Sequence, residues 1–196
     1  NIQAFLNCFK RMDVAAYRVV EPEDLGLATS FILPGVGHFD HAMQQFSDSG
    51  LLPGLEKLVI GKKIPLMGVC VGMQMLGTGS DEGNMTGLGW LTGRSLSFQK
   101  TLTSYQELLP HMGWNFLAVK KPNQLFRGDT DFSPQFYFLH SFYFEAEDQA
   151  DVLATSHYGY EFASIVAHGN IYGVQFHPEK SHHWGAQLLK NFAETR

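Results

Sequence analysis

Basic residues are sparse in this chain and cysteine is nearly absent. The 14 lysines and arginines are scattered among 19 acidic residues, giving a formal charge of −5 that excludes an extended nucleic-acid surface. No apolar run approaches the roughly 18 residues that a spanning helix needs, so no membrane segment is expected. Only 2 cysteines in 196 residues exclude a disulfide-dense scaffold. A bond between Cys8 and Cys70 is conceivable, but Cys8 lies on a helical pattern and both are expected to stay reduced in a cytoplasmic setting. No charged-then-apolar secretion signal precedes the first helix, which fits that location. Repeats, low-complexity tracts and linkers are absent too. With 44% apolar and 17% charged residues, the 196 positions are expected to make one domain with a sizeable core.

What is present is concentrated in IPLMGVCVGMQMLG, residues 64–77. The apolar run Ile64–Val69 suits a buried parallel strand, and helix-compatible residues follow Cys70. A sharp strand-to-helix turn needs small neighbours, which Gly68 and Gly72 supply. Cys70 would then sit at the first turn of a helix, where free amides and the helix dipole favour a thiolate. A buried core cysteine beside flexible glycines explains the same letters. Further along, the apolar run IYGVQF at 171–176 ends in His177, Pro178 and Glu179. Pro178 disfavours helix at His177, so His177 and Glu179 are expected in extended chain, projecting to one side. A carboxylate orienting an imidazole that activates a thiol is the arrangement of nucleophilic acyl transfer. Each motif alone also reads as structure, the second as a loop ion pair; together they favour an enzyme.

GVCVGMQ at 68–74 and QFHPEKS at 175–181 resemble the class I (triad) glutamine amidotransferases. PGVGHF at 34–39, PHMGWN at 110–115 and YFLHSFYF at 137–144 resemble, within that class, the glutaminase subunits of imidazole glycerol phosphate synthase, and the similarity runs almost end to end. The resemblance implies a flavodoxin-like α/β fold, with a mixed, mostly parallel central sheet flanked by helices and antiparallel strands in the second half. It implies Cys70, His177 and Glu179 as the catalytic triad, with glutamine as substrate and no cofactor. Glutamine would be hydrolysed to glutamate and ammonia through a cysteinyl thioester. Ammonia would pass to a cyclase subunit that makes imidazole glycerol phosphate and AICAR in histidine biosynthesis, the two subunits forming a heterodimer.

The same resemblance assigns further residues. The PGVG turn, by itself a simple tight turn, becomes an oxyanion strand in which an amide near Val36 or Gly37 joins that of Val71. Gly35, Gln74, His140, Ser141 and Phe142 would line the substrate; Gln74 alone could equally face solvent, and Phe142 stands where the family often has tyrosine. Trp114, Asn115 and Lys180 would face the cyclase. The family opens with a short strand and a glycine turn that this sequence does not show, so the chain is expected to be a piece of a longer protein.

Along the chain the reading is a helix from Asn1 with Ile2, Phe5, Leu6 and Phe9 on one face, and strands at Tyr17–Val20 and Ser30–Leu33. Helices follow at Phe39–Phe46 and Leu55–Val59, then the elbow strand. After the glycine-rich loop at 77–89 come strands at Arg94–Phe98, Trp114–Val119, Phe136–Phe144, Val152–Ser156, Ser164–Ala167 and Ile171–Phe176, and a helix from His183 to Ala193. His177, His182 and His183, or His38 and His41, invite a metal reading. Their spacing lacks a regular ligand pattern, and a metal-bound His177 could not act as base, so no metal is expected. Two rivals stay open: a class I glutaminase of another pathway, and a non-catalytic subunit that keeps the fold.

Overall fold

The computed structural model describes residues 2–101, 108–127 and 134–195. Asn1, expected in the opening helix, lies outside them. Helix α1 (Ile2–Arg11) buries Phe5 and Phe9 of the predicted face, with Cys8 beside them, while Leu6 is half-buried and Ile2 exposed; it carries Lys10 and Arg11 where the helix dipole favours cations. Tyr17–Val20 does not form the expected strand. It is irregular and largely exposed, no strand pairs with it among the described residues, and the amides of Val20 and Glu21 turn instead to the Asp24 carboxylate. A 3₁₀ turn, Pro22–Leu27, follows.

Next come β1 (Phe31–Gly35), α2 (Phe39–Asp48), α3 (Leu52–Glu56), β2 (Leu66–Cys70) and α4 (Val71–Leu76). The predicted helix at Leu55–Val59 is the end of α3 running into a π turn, Lys57–Gly61. The second half holds β3 (Gly93–Ser97), α5 (Phe98–Thr101), β4 (His111–Phe116), β5 (Ala118–Val119), β6 (Gln135–His140), β7 (Phe142–Ala146), β8 (Val152–His157), β9 (Glu161–His168), β10 (Ile171–Val174) and α6 (His182–Ala193). The main sheet runs β1-β2-β10-β9-β7-β3, with β8 and β5 branching from β9. It is parallel where β2 meets β1 and β10, and antiparallel toward β3. Strands β2 and β10 are buried along their whole length, as continuous apolar runs require.

The run Phe136–Phe144, read as one strand, is two. β6 pairs with β4 in a separate ribbon, while β7 pairs with β3 in the main sheet. The chain changes sheets at Ser141, whose carbonyl accepts the Phe98 amide. Both halves are apolar, so composition gave no sign of the crossing. Trp114–Val119 likewise divides into the end of β4 and the short β5.

The loop after α4 is tied down by charge. Asp40 of α2 accepts the amides of Asn84 and Met85, and Glu82 accepts the Phe39 amide at the N-terminus of α2, where the helix dipole favours a carboxylate. Asp81 pairs with Arg94 and Lys100. Glycines set the distance between α4 and the sheet. A Cβ on Gly72 would collide with the Leu33 carbonyl, and one on Gly35 with the Gly72 amide. A Gly72→Ala change is therefore expected to destabilise by ~2–3 kcal/mol through overpacking. Gly61→Ala, where a Cβ meets open space, should stay within ~0.5 kcal/mol. Urea unfolding of the two variants measures the difference, and equal midpoints would refute the packing account.

Candidate active site

Because β2 ends on Cys70 and α4 starts on Val71, the thiol stands at the C-terminal edge of the parallel strands, where open α/β sheets place ligands. Cys70 adopts φ 55°, ψ −114°, a region that side chains with a Cβ rarely occupy. The sharp turn was expected to need small neighbours at Gly68 and Gly72. The positive φ falls on Cys70 itself, and the glycines serve close packing: a Cβ on Gly68 would strike the Gly72 carbonyl and Leu76. The Sγ atom lies 3.8 Å from the Leu139 carbonyl and 3.9 Å from Gln175 Nε2, and the thiol is near enough to the His177 imidazole to raise its pKa.

His177 follows β10 in extended conformation, but Glu179 does not continue it. Pro178 starts a 3₁₀ turn, Pro178–Lys180, and the turn brings Glu179 Oε1 to 2.9 Å from His177 Nδ1. Both side chains are almost completely buried. The turn is sewn to β6: the His177 amide donates to the Tyr137 carbonyl, and Ser181 Oγ accepts the Tyr137 amide while donating to the His177 carbonyl at 2.6 Å. Burial alone would lower the His177 pKa. The hydrogen bonds and charges of Cys70 and Glu179 outweigh it and hold the imidazole up at about 9.

The β1–β2 register makes Gly35 the partner of Cys70, so the PGVG turn leaves the sheet beside the start of α4. Gly37 has φ +86°, Val36 is exposed, and Val71 is buried in the first turn of α4. Gln74 faces inward rather than to solvent; its Nε2 is 3.4 Å from both the Phe142 carbonyl and Gln175 Oε1. Ser141 and Phe142 lie half-buried at the sheet crossing. The His140 ring, expected to face substrate, is committed inside the fold: it packs among Phe98, Phe138 and Phe162 and is bonded on both nitrogens, to the Phe142 carbonyl and to His111. Neither ring nitrogen is left to meet a ligand.

Trp114 is exposed on β4 between Met112 and Phe116, and stacks on His182 with the ring planes 4° apart. Lys180 is exposed with Nζ 5.7 Å from the Tyr137 ring centre. Asn115 does not share that outer face, because strand alternation turns it inward to the His157 carbonyl and His111. Among the described residues no cluster of His, Cys, Asp and Glu could hold a metal ion. A cavity of about 500 Å³ lies against Glu179, Lys180, His182, His183 and Arg11, away from Cys70. Sequence reasoning passed over Gln175, Ser181 and His111. Gln175 had a signal as the lone polar residue within an apolar run, and Ser181 and His111 stand inside the QFHPEKS and PHMGWN motifs without a role having been read for them.

The strained turn and the raised imidazole each give a measurable consequence. Cys70→Gly should be more stable than Cys70→Ala by ~1 kcal/mol, the relief of a left-handed conformation less the chain entropy of glycine. An alanine variant as stable as the glycine one would remove the strain. His177 has its folded pKa raised from 6.5 to about 9, so its stabilisation is fully present below pH 6.5 and is lost as pH rises toward 9. The urea midpoint should fall across that window, and Glu179→Gln should flatten the fall; an unchanged slope would assign the effect to other groups.

The comparisons agree on a lineage. The family model described as glutamine amidotransferase class-I matches residues 7–195. The imidazole glycerol phosphate synthase subunit HisH of Bdellovibrio bacteriovorus is 49% identical over 195 residues, covering 99% of this chain and 95% of that one. The subunit of the same name from Leptospira borgpetersenii is 44% identical over 193 residues, covering 98% and 94%. A solved structure described as a glutamine amidotransferase superposes with a TM-score of 0.75 at 20% identity, covering 99% of this chain and 93% of that one, and shows the fold alone. With the family model spanning nearly the whole described chain and relatives this similar, the chain belongs to the class I glutamine amidotransferases.

Proposed function

We propose that this chain is the glutaminase subunit of an imidazole glycerol phosphate synthase, one amidotransferase domain over residues 1–196 that works beside a cyclase subunit. The observation that carries the reading is the strained Cys70 beside a buried His177 that is bonded to Glu179 and whose pKa the thiol and the carboxylate together raise. The shared name of the relatives supplies the pathway. Cys70 thiolate attacks the side-chain amide of glutamine. The amides near Val36 or Gly37 and of Val71 stabilise the tetrahedral oxyanion. His177, protonated at neutral pH, gives its proton to the departing ammonia, and a glutamyl thioester remains. The neutral imidazole then takes a proton from water, which attacks the thioester and releases glutamate. Glu179 fixes the tautomer throughout. Gly35, Gln74 and the backbone of His140, Ser141 and Phe142 hold the amino-acid head.

The ammonia leaves toward the cyclase, and the exposed ribbon face of Met112, Trp114 and Phe116 with Lys180 is the docking surface in this reading. Glutamate release from glutamine, with and without a cyclase subunit, tests both parts. Cys70→Ala is expected to lower turnover by ~10³-fold or more. Release should rise on adding the cyclase, and Trp114→Ala should weaken that rise while leaving the basal rate within about twofold. Cysteine-dependent release indifferent to the cyclase would point to a glutaminase of another pathway. Full activity in Cys70→Ala would end the mechanism.

A further inference from the structure

A file of buried polar side chains runs from Cys70 to β4, and the mechanism does not use its far half. Gln175 is fully buried, with Nε2 3.9 Å from Cys70 Sγ and Oε1 3.4 Å from Gln74 Nε2. Gln74 Nε2 also reaches the Phe142 carbonyl at 3.4 Å, and His140 Nδ1 lies 2.7 Å from that carbonyl. His140 Nε2 is 2.9 Å from His111 Nδ1, and His111 Nε2 is 3.3 Å from Asn115 Nδ2.

The direction of each hydrogen bond can be solved from one end. A carbonyl only accepts, so His140 carries a proton on Nδ1, and a neutral ring then accepts at Nε2. His111 must donate from Nδ1, which leaves its Nε2 as an acceptor for the Asn115 amide. The orientation of Asn115 is set independently, since its Oδ1 accepts the Phe116 amide at 2.8 Å and its Nδ2 donates to the His157 carbonyl at 2.9 Å. One tautomer of each ring satisfies every partner. A second proton on either ring would aim one N–H at another donor.

The surroundings favour that neutral state. His111 stacks on Tyr158 and Phe138, and His140 is wedged among Phe98, Phe138 and Phe162. Loss of water lowers the His111 pKa to about 4 and that of His140 to about 3; the Phe142 carbonyl opposes the latter shift, and the charges of His111 and His177 add to it. Aromatic rings alone would fill this space equally well, so packing does not account for two imidazoles bonded on every nitrogen.

We infer that His111 and His140 are positioning residues for glutamine: a neutral pair, each protonated on Nδ1, that fixes the Phe142 carbonyl and through it Gln74 and the Ser141 bend. The inference rests on the glutaminase reading of this site. Free neutral histidine prefers the other tautomer, with the proton on Nε2, so the pair has a spectroscopic signature that a packing role would not produce.

Nitrogen-15 histidine spectra of the full chain at pH 7, assigned with His111→Phe and His140→Phe, are expected to show both rings protonated on Nδ1 alone. Either ring protonated on Nε2 would overturn the inference. In steady-state kinetics, His140→Phe should raise KM for glutamine about tenfold, the effect of roughly one hydrogen bond, with kcat within about threefold. His140→Asn, whose amide can donate to the Phe142 carbonyl, should bring KM back to within about threefold of the parent. Equal KM in parent and phenylalanine variant, or equal defects in the two variants, would reduce the pair to packing. Absence of Cys70-dependent glutamate release from the parent would overturn the site reading instead, and the ring spectra would still decide whether the pair is locked.

Discussion

The close approach of α4 to β1 is the constraint on which the rest of this structure depends. Helix and strand sit so near that neither Gly72 nor Gly35 has room for a Cβ. At that spacing the chain must pass from β2 into α4 without an intervening loop, and Cys70 takes the positive φ that the passage demands. Strain of this kind persists only when its surroundings over-determine it. Here β2 is hydrogen-bonded on both sides, by β1 and β10, and Met73, Met75 and Leu76 bury the helix that follows. The thiol is held out at the sheet edge because everything adjacent to it is fixed.

The second partner arrives by a different device. His177 needs a direction as well as a position, and the turn that carries it is bonded at both ends to β6 through Tyr137 and Ser181. The same strand brings the Leu139 carbonyl to Cys70. Thiol and imidazole are therefore referenced to one ribbon, although they lie more than a hundred residues apart in sequence. Charge completes what geometry starts: Cys70 and the almost fully buried Glu179 together hold the His177 pKa up against the desolvation that would lower it.

How much of this was legible varied with the kind of physics involved. Short-range signals read well, because Gly68, Cys70 and Gly72 declare a turn and Pro178 bars helix at His177. Their reasons read less well: Gly72 gives clearance to β1, a contact that no local pattern holds, and Glu179 meets His177 through a 3₁₀ turn. Tyr17–Val20 looked like a strand because β propensity describes a residue, whereas a strand needs a neighbour. Phe136–Phe144 looked like one strand because hydrophobicity does not record which sheet an apolar residue joins. Gln74, Asn115 and His140 were open to misreading for one cause, that a polar side chain facing inward has the same letter as one facing out.

β4 joins the two halves of the molecule through its alternation. Its odd positions, His111 and Asn115, belong to the buried file that ends at Cys70, and its even positions, Met112, Trp114 and Phe116, form the exposed apolar face. An exposed apolar stripe on a short ribbon is costly to leave in water, and a covering partner would remove that cost. Whatever covers the outer face meets a ribbon whose inner face has a single satisfied hydrogen-bonding arrangement. A ribbon of that kind cannot yield one side chain at a time, since displacing Asn115 unbonds His111, and displacing His111 unbonds His140 and the carbonyl of Phe142. Pressure on Trp114 and order around glutamine are thereby placed on opposite sides of the same strand, with no loop between them to absorb the displacement.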